Sequence, residues 1–124
     1  MIRALAAGVV LAGLAASLPA QAQQVAYTGT TMGTAGGPDG SSKCTTYKMD
    51  ITVTVDGTAV KALFQQQGRD QRHFEATLGA GGAIKTKAVV GGGGSMDVTG
   101  TINDKEGRIL LDGYCKFDFK LTRK

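Results

Sequence analysis

The chain has no tryptophan, three tyrosines, four phenylalanines, one histidine and two cysteines. Each scarcity removes a class of chemistry. One His and two Cys supply too few soft ligands for a four-coordinate zinc site. The two cysteines, Cys44 and Cys115, lie far apart in the chain, whereas a dithiol redox pair is built on C-x-x-C spacing. No Cys precedes Cys44, so a lipidated N-terminal cysteine is not expected. Clustered charge is lacking as well. Setting Arg3 aside from the 14 basic side chains leaves 13 against 10 acidic ones, a net charge of +3 over the remaining chain. That mild, dispersed excess has none of the clustering or aromatic interleaving of a nucleic-acid interface.

One apolar run is present, and it stands at the start. Met1-Ile2-Arg3 is a short positive segment, Ala4 to Leu18 is a run of 15 small and apolar residues, and Ala20-Gln21-Ala22 has the small-x-small pattern of a signal-peptidase site. The run is too short and too rich in Ala and Gly for a membrane span. Residues 1–22 are therefore expected to be a cleaved leader, with the protein exported to the periplasm or secreted, and 23–124 a single small domain. An oxidising destination favours a Cys44–Cys115 disulfide. Closing a loop of about 70 residues would stabilise the fold by about 4 kcal/mol in the chain-entropy model.

Beyond the leader the chain reads as strands. Tyr47, Met49, Ile51, Val53 and Val55 alternate with polar partners, a period of two, before Asp56-Gly57, a hairpin signal. Val60, Ala62 and Phe64 return, and Gly68 ends that segment too soon for a stable helix. Phe74, Ala76 and Leu78 form the next face, then Ile84, Thr86, Ala88 and Val90, then Met96, Val98, Gly100 and Ile102. Ile109, Leu111, Cys115, Phe117, Phe119 and Leu121 make one face of a last strand, bent at Gly113. A further strand is expected at Val25 to Met32, and Thr34 to Ser42, with Pro38-Asp39-Gly40, is a turn-rich loop. About seven strands with short Gly-rich connections and no crossover helices predict an all-β antiparallel meander, closed or partly closed into a small barrel, lipocalin-like in shape. So many bulky inward residues predict a packed interior without a sizeable cavity.

Three stretches invite a chemical reading. Asp104, Glu106 and Asp112 surround Gly107, but an EF-hand frame with Gly107 sixth puts Ile102 first and Gly113 twelfth, where ligands are required. A hairpin turn over Asn103 to Gly107, with Gly107 free to take positive φ, accounts for the stretch better. The Gly79–Gly82 and Gly91–Gly94 runs match neither the Walker nor the dinucleotide pattern, and neither opens a helix that could hold phosphate. Arg69, Asp70, Arg72 and His73, followed by Glu75, form the densest polar group and the candidate interaction surface. His73 and Glu75 share the outward face of one strand with no evident nucleophile beside them, so no catalytic residue is assigned.

The plan of an apolar leader, one disulfide and an antiparallel meander of about 100 residues resembles small secreted bacterial barrels. The periplasmic metalloprotease inhibitors with a lipocalin-like barrel are one family of that shape. The likeness is of plan and not of motif, and fold does not fix function. The expectation is an exported, monomeric, non-enzymatic protein without cofactor. It would bind a protein or cell-envelope partner, not nucleic acid, through loops or a sheet edge. A small-molecule carrier using the barrel interior is the alternative.

Overall fold

The computed structural model describes residues 24–35 and 42–124. The expected leader over 1–22 and the Pro38-Asp39-Gly40 turn lie outside the described residues. The strands are β1 (Gln24–Met32), β2 (Thr34–Ala35), β3 (Lys48–Asp56), β4 (Ala59–Gln66), β5 (Arg72–Thr77), β6 (Ala83–Val89), β7 (Ser95–Ile102), β8 (Glu106–Asp112) and β9 (Cys115–Arg123). All ladders are antiparallel, in the spatial order β5-β4-β3-β1-β9-β8-β7-β6. β5 and β6 run alongside each other without a shared ladder, so the barrel is nearly closed. Among the described residues no helix is long and apolar enough to cross a membrane.

Period-two alternation accounts for the core. Met49, Ile51, Val53 and Val55 of β3 are buried, as are Val60, Ala62 and Phe64 of β4, while the residues between them remain at least partly accessible. Val98, Ile109, Leu111, Phe119 and Leu121 have no exposed surface, and burial of each such side chain contributes about 1.5–3 kcal/mol. Val60 to Gln67, which could have formed one helical turn, runs as strand β4 up to Gln66. Tyr47, Leu78 and Val90, expected inside, are only partly buried because each sits where a strand meets a loop.

Three local readings change. Thr34 and Ala35, expected within a loop, form β2 opposite Lys116 and Cys115. The expected single strand over Ile109 to Leu121 is a hairpin, with β8 and β9 joined by Gly113-Tyr114. Asp112 pairs with Lys116, which leaves three residues at the reversal; an odd number preserves parity, so Ile109, Leu111, Cys115, Phe117 and Phe119 keep one face although the chain reverses. Gly107 is not at positive φ. It lies buried in β8 opposite Ile102, and a Cβ there would come within 2.9 Å of the Ile102 side chain and the Thr101 carbonyl. Gly107 is required for close approach. Gly57, by contrast, does carry φ +65°, as the first of the two residues between β3 and β4, the position that takes Gly in a type II′ hairpin turn.

Cys44 and Cys115 are joined, with Cα atoms 5.5 Å apart and a sequence separation of 71. Cys44 sits in the 3₁₀ turn Ser42–Thr46 that leads into β3, and it is fully buried. The bridge therefore ties that entering segment to the start of β9. Replacing both cysteines by Ser is expected to lower the unfolding free energy by about 2–4 kcal/mol, and Phe119→Ala by about 3–5 kcal/mol. Urea denaturation of the folded protein measures both.

Candidate functional site

The two ends of the barrel are built differently. At one end the β7–β8 turn is closed by its own side chain: Asn103 Oδ1 accepts the backbone N–H groups of Lys105 and Glu106, both at 2.9 Å. Tyr27, on the inward face of β1, donates its hydroxyl to the Asn103 carbonyl at 2.7 Å. Arg123 donates to the Asp104 carbonyl at 2.9 Å. The stretch around Asp104 is thus a hairpin turn whose polar groups are used in closing the barrel. Asp112 lies at the far end of β8, opposite Lys116, roughly 20 Å away at the rise of a strand. Asp104, Glu106 and Asp112 do not converge on one point.

The other end is open, and its connections stand around a cleft. Gln67 to Gln71 joins β4 to β5, with Gly68 at φ +83°. The Arg69 N–H donates to the Gln66 carbonyl at 2.9 Å, and Gln65 Nε2 donates to the Arg69 carbonyl at 2.8 Å. Val90 to Gly94 joins β6 to β7, closed by the Val90 N–H donating to the Gly94 carbonyl at 2.9 Å. Tyr114 and Tyr47 complete the rim. Tyr47 follows the Ser42–Thr46 turn and is held through its backbone: its N–H donates to the Cys44 carbonyl at 3.1 Å, and its carbonyl accepts the Gly33 N–H at 2.9 Å.

These segments wall a cleft of about 540 Å³, within the range of small-molecule sites and at a barrel mouth, where such sites recur. Met49, Phe64, Met96 and Phe117 form its floor, and Tyr47, Gln66, Arg69, Asp70, Arg72 and Tyr114 stand around its mouth. The expectation of a packed interior therefore holds for the middle of the barrel and not for this end. The side chains that would have filled the mouth are polar or belong to loops. Among the described residues, Met32, Val89 and Tyr114, three of the four exposed large apolar side chains, also lie at this end.

The structure separates the candidate surface residues. Arg69 and Asp70 are exposed in the β4–β5 loop at the cleft rim. Arg72, Phe74 and Ala76 share the inward face of β5, while His73, Glu75 and Thr77 face outward and are exposed. Arg72 is therefore a half-buried arginine aimed into the mouth of an apolar cleft. Its guanidinium lies against Gly91, where a Cβ would come within 2.7 Å of Nη2. No hydrogen bond or ion pair with a described residue holds that guanidinium. Parity counted back from Phe74 was the sequence signal for this placement. Tyr114 gave none, because Gly113-Tyr114 read as a bend within one strand.

A second depression lies over Lys85, Lys87, Asp97 and Thr99 on β6 and β7. There Lys87 Nζ pairs with Asp97 at 2.6 Å, both groups exposed. The Lys87 hydrogen bond and charge hold the Asp97 carboxyl below its usual value. Lys87 and Asp97 satisfy one another, and the patch is a solvated outer face of the sheet.

His73→Ala and Glu75→Ala are each expected to change stability by less than about 0.5 kcal/mol, as exposed strand positions do; a loss above about 2 kcal/mol in urea denaturation would reveal a buried partner. Calcium is expected to leave the melting temperature unchanged, and calorimetry with and without the ion checks this through mass action. Comparison with protein-family models, with curated proteins and with solved structures finds no match to this chain.

Proposed function

We propose that this is an exported, non-enzymatic binding protein that acts as a monomer through the loop-bearing end of its barrel. The observation that carries the reading is the cleft at that end, with the Arg72 guanidinium at its mouth and apolar side chains beneath. Of the loop and sheet-edge alternatives, the loops are favoured: β5 and β6, which lack a ladder to each other, face one another across a narrow seam. A non-catalytic role is supported by the placement of the lone His73 on the outer face of β5, away from the cleft. Export to the periplasm or beyond is supported by the Met1 to Ala22 pattern together with the paired cysteines, since such bridges persist in oxidising compartments.

Two measurements test this. N-terminal sequencing of the protein from an extracytoplasmic fraction is expected to begin at Gln23; a chain retained in the cytoplasm with Met1 would overturn the export reading. Immobilised protein is then challenged with envelope extract, and the retained components are compared across variants. Tyr114→Ala combined with Arg69→Ala is expected to abolish retention, and Asp104→Ala combined with Lys105→Ala at the opposite end to leave it intact. The loop-end reading falls if nothing is retained, or if both pairs behave alike.

A further inference from the structure

Resting on that reading, we infer that the cleft binds a small monocarboxylate with an apolar body, its carboxylate held by Arg72. The physical basis begins with parity. An arginine on the inward face of a barrel strand has to be partly desolvated, and an unpaired charge in such a place is costly unless something neutralises it. Arg72 is half-buried, and no side chain among the described residues pairs with it. Asp70 lines the same mouth but is exposed in the loop and makes no ion pair with it. Gly91 leaves open the space that the guanidinium occupies across the β5–β6 seam. The planar fork of Arg72 matches a carboxylate in two parallel N–H···O bonds.

The rest of the cleft selects the body attached to that carboxylate. Met49, Phe64, Met96 and Phe117 offer an apolar floor, and two of the four are methionines, whose unbranched side chains adapt to irregular apolar shapes. Arg69 and Asp70 line the same mouth from the exposed loop with opposite charges, so Arg72 is the one inward cation left to match, and it calls for one negative charge on an apolar body. A polyanion would leave charges unmatched, and a neutral molecule would leave Arg72 unpaired. The concave shape and the volume of about 540 Å³ favour a small molecule over a flat protein face.

The test uses octanoate, octanol and octyltrimethylammonium with protein labelled at its methionine methyl groups. Octanoate is expected to shift the Met49 and Met96 signals saturably and to leave Met32, outside the cleft, unmoved. Octanol should bind at least about tenfold more weakly, the effect of losing one charge-assisted hydrogen bond, and the cation should not bind. Arg72→Met should bring octanoate down to the affinity of octanol, and Arg72→Lys should restore part of the difference. If octanol binds as well as octanoate, or if Arg72→Met leaves octanoate unaffected, the carboxylate assignment is overturned while occupation of the cleft stands. If none of the probes moves Met49 or Met96, the small-molecule assignment is overturned. The loop-end reading would then be judged separately, by retention from extract.

Discussion

The barrel depends on the insertion of the first strand, β1, between β3 and the last strand, β9. Its joint with β3 is long, from Gln24 opposite Asp56 to Met32 opposite Lys48. Its joint with β9 is short: Tyr27 and Thr28 pair with Arg123 and Thr122, and beyond Met32 the chain pairs again only through β2, where Thr34 and Ala35 meet Lys116 and Cys115. The disulfide stands at this second point, because Cys115 is both the ladder partner of Ala35 and the covalent partner of Cys44. A cross-link that closes a long loop restricts the unfolded chain most. Here it also reinforces the thinnest ladder in the barrel.

That arrangement leaves the two ends unequal. At the closed end, Tyr27, Asn103 and Arg123 bring β1, the β7–β8 turn and β9 together through hydrogen bonds to backbone carbonyls. At the open end the β4–β5 and β6–β7 connections are closed by backbone bonds of their own, from Arg69 to Gln66 and from Val90 to Gly94, while the disulfide ties the Ser42–Thr46 turn to β9. Loops held by their own hydrogen bonds can stand apart and leave a cleft, whereas a turn stitched to neighbouring strands cannot. Positioned loops on a rigid scaffold are the usual place for binding.

The cleft shows how a regular pattern can produce an irregular site. Along β3, β4 and β5 the inward positions are apolar until the strand reaches the mouth. At the mouth the same alternation places Gln66 and Arg72 inward. Nothing in the backbone of β5 is unusual there. The departure lies in the residue type alone, and it gives the cleft its charge.

Local pattern was enough to establish the all-β class and the faces of β3 to β7, because alternation and turn residues are properties of neighbouring positions, and the count of two cysteines was enough to expect their pairing. The inward placement of Arg72 was also written there, through its distance of two from Phe74. The reversal around Gly113-Tyr114 was not, since pairing Asp112 with Lys116 across three residues leaves parity unchanged. The open end, the separation of Asp104 from Asp112, and the seating of Arg72 against Gly91 came from the assembled barrel. Each depends on which strands become neighbours and on where the closed sheet leaves a seam. Those relations arise from bringing distant segments together around one core, and the order of residues along any single strand carries no record of them.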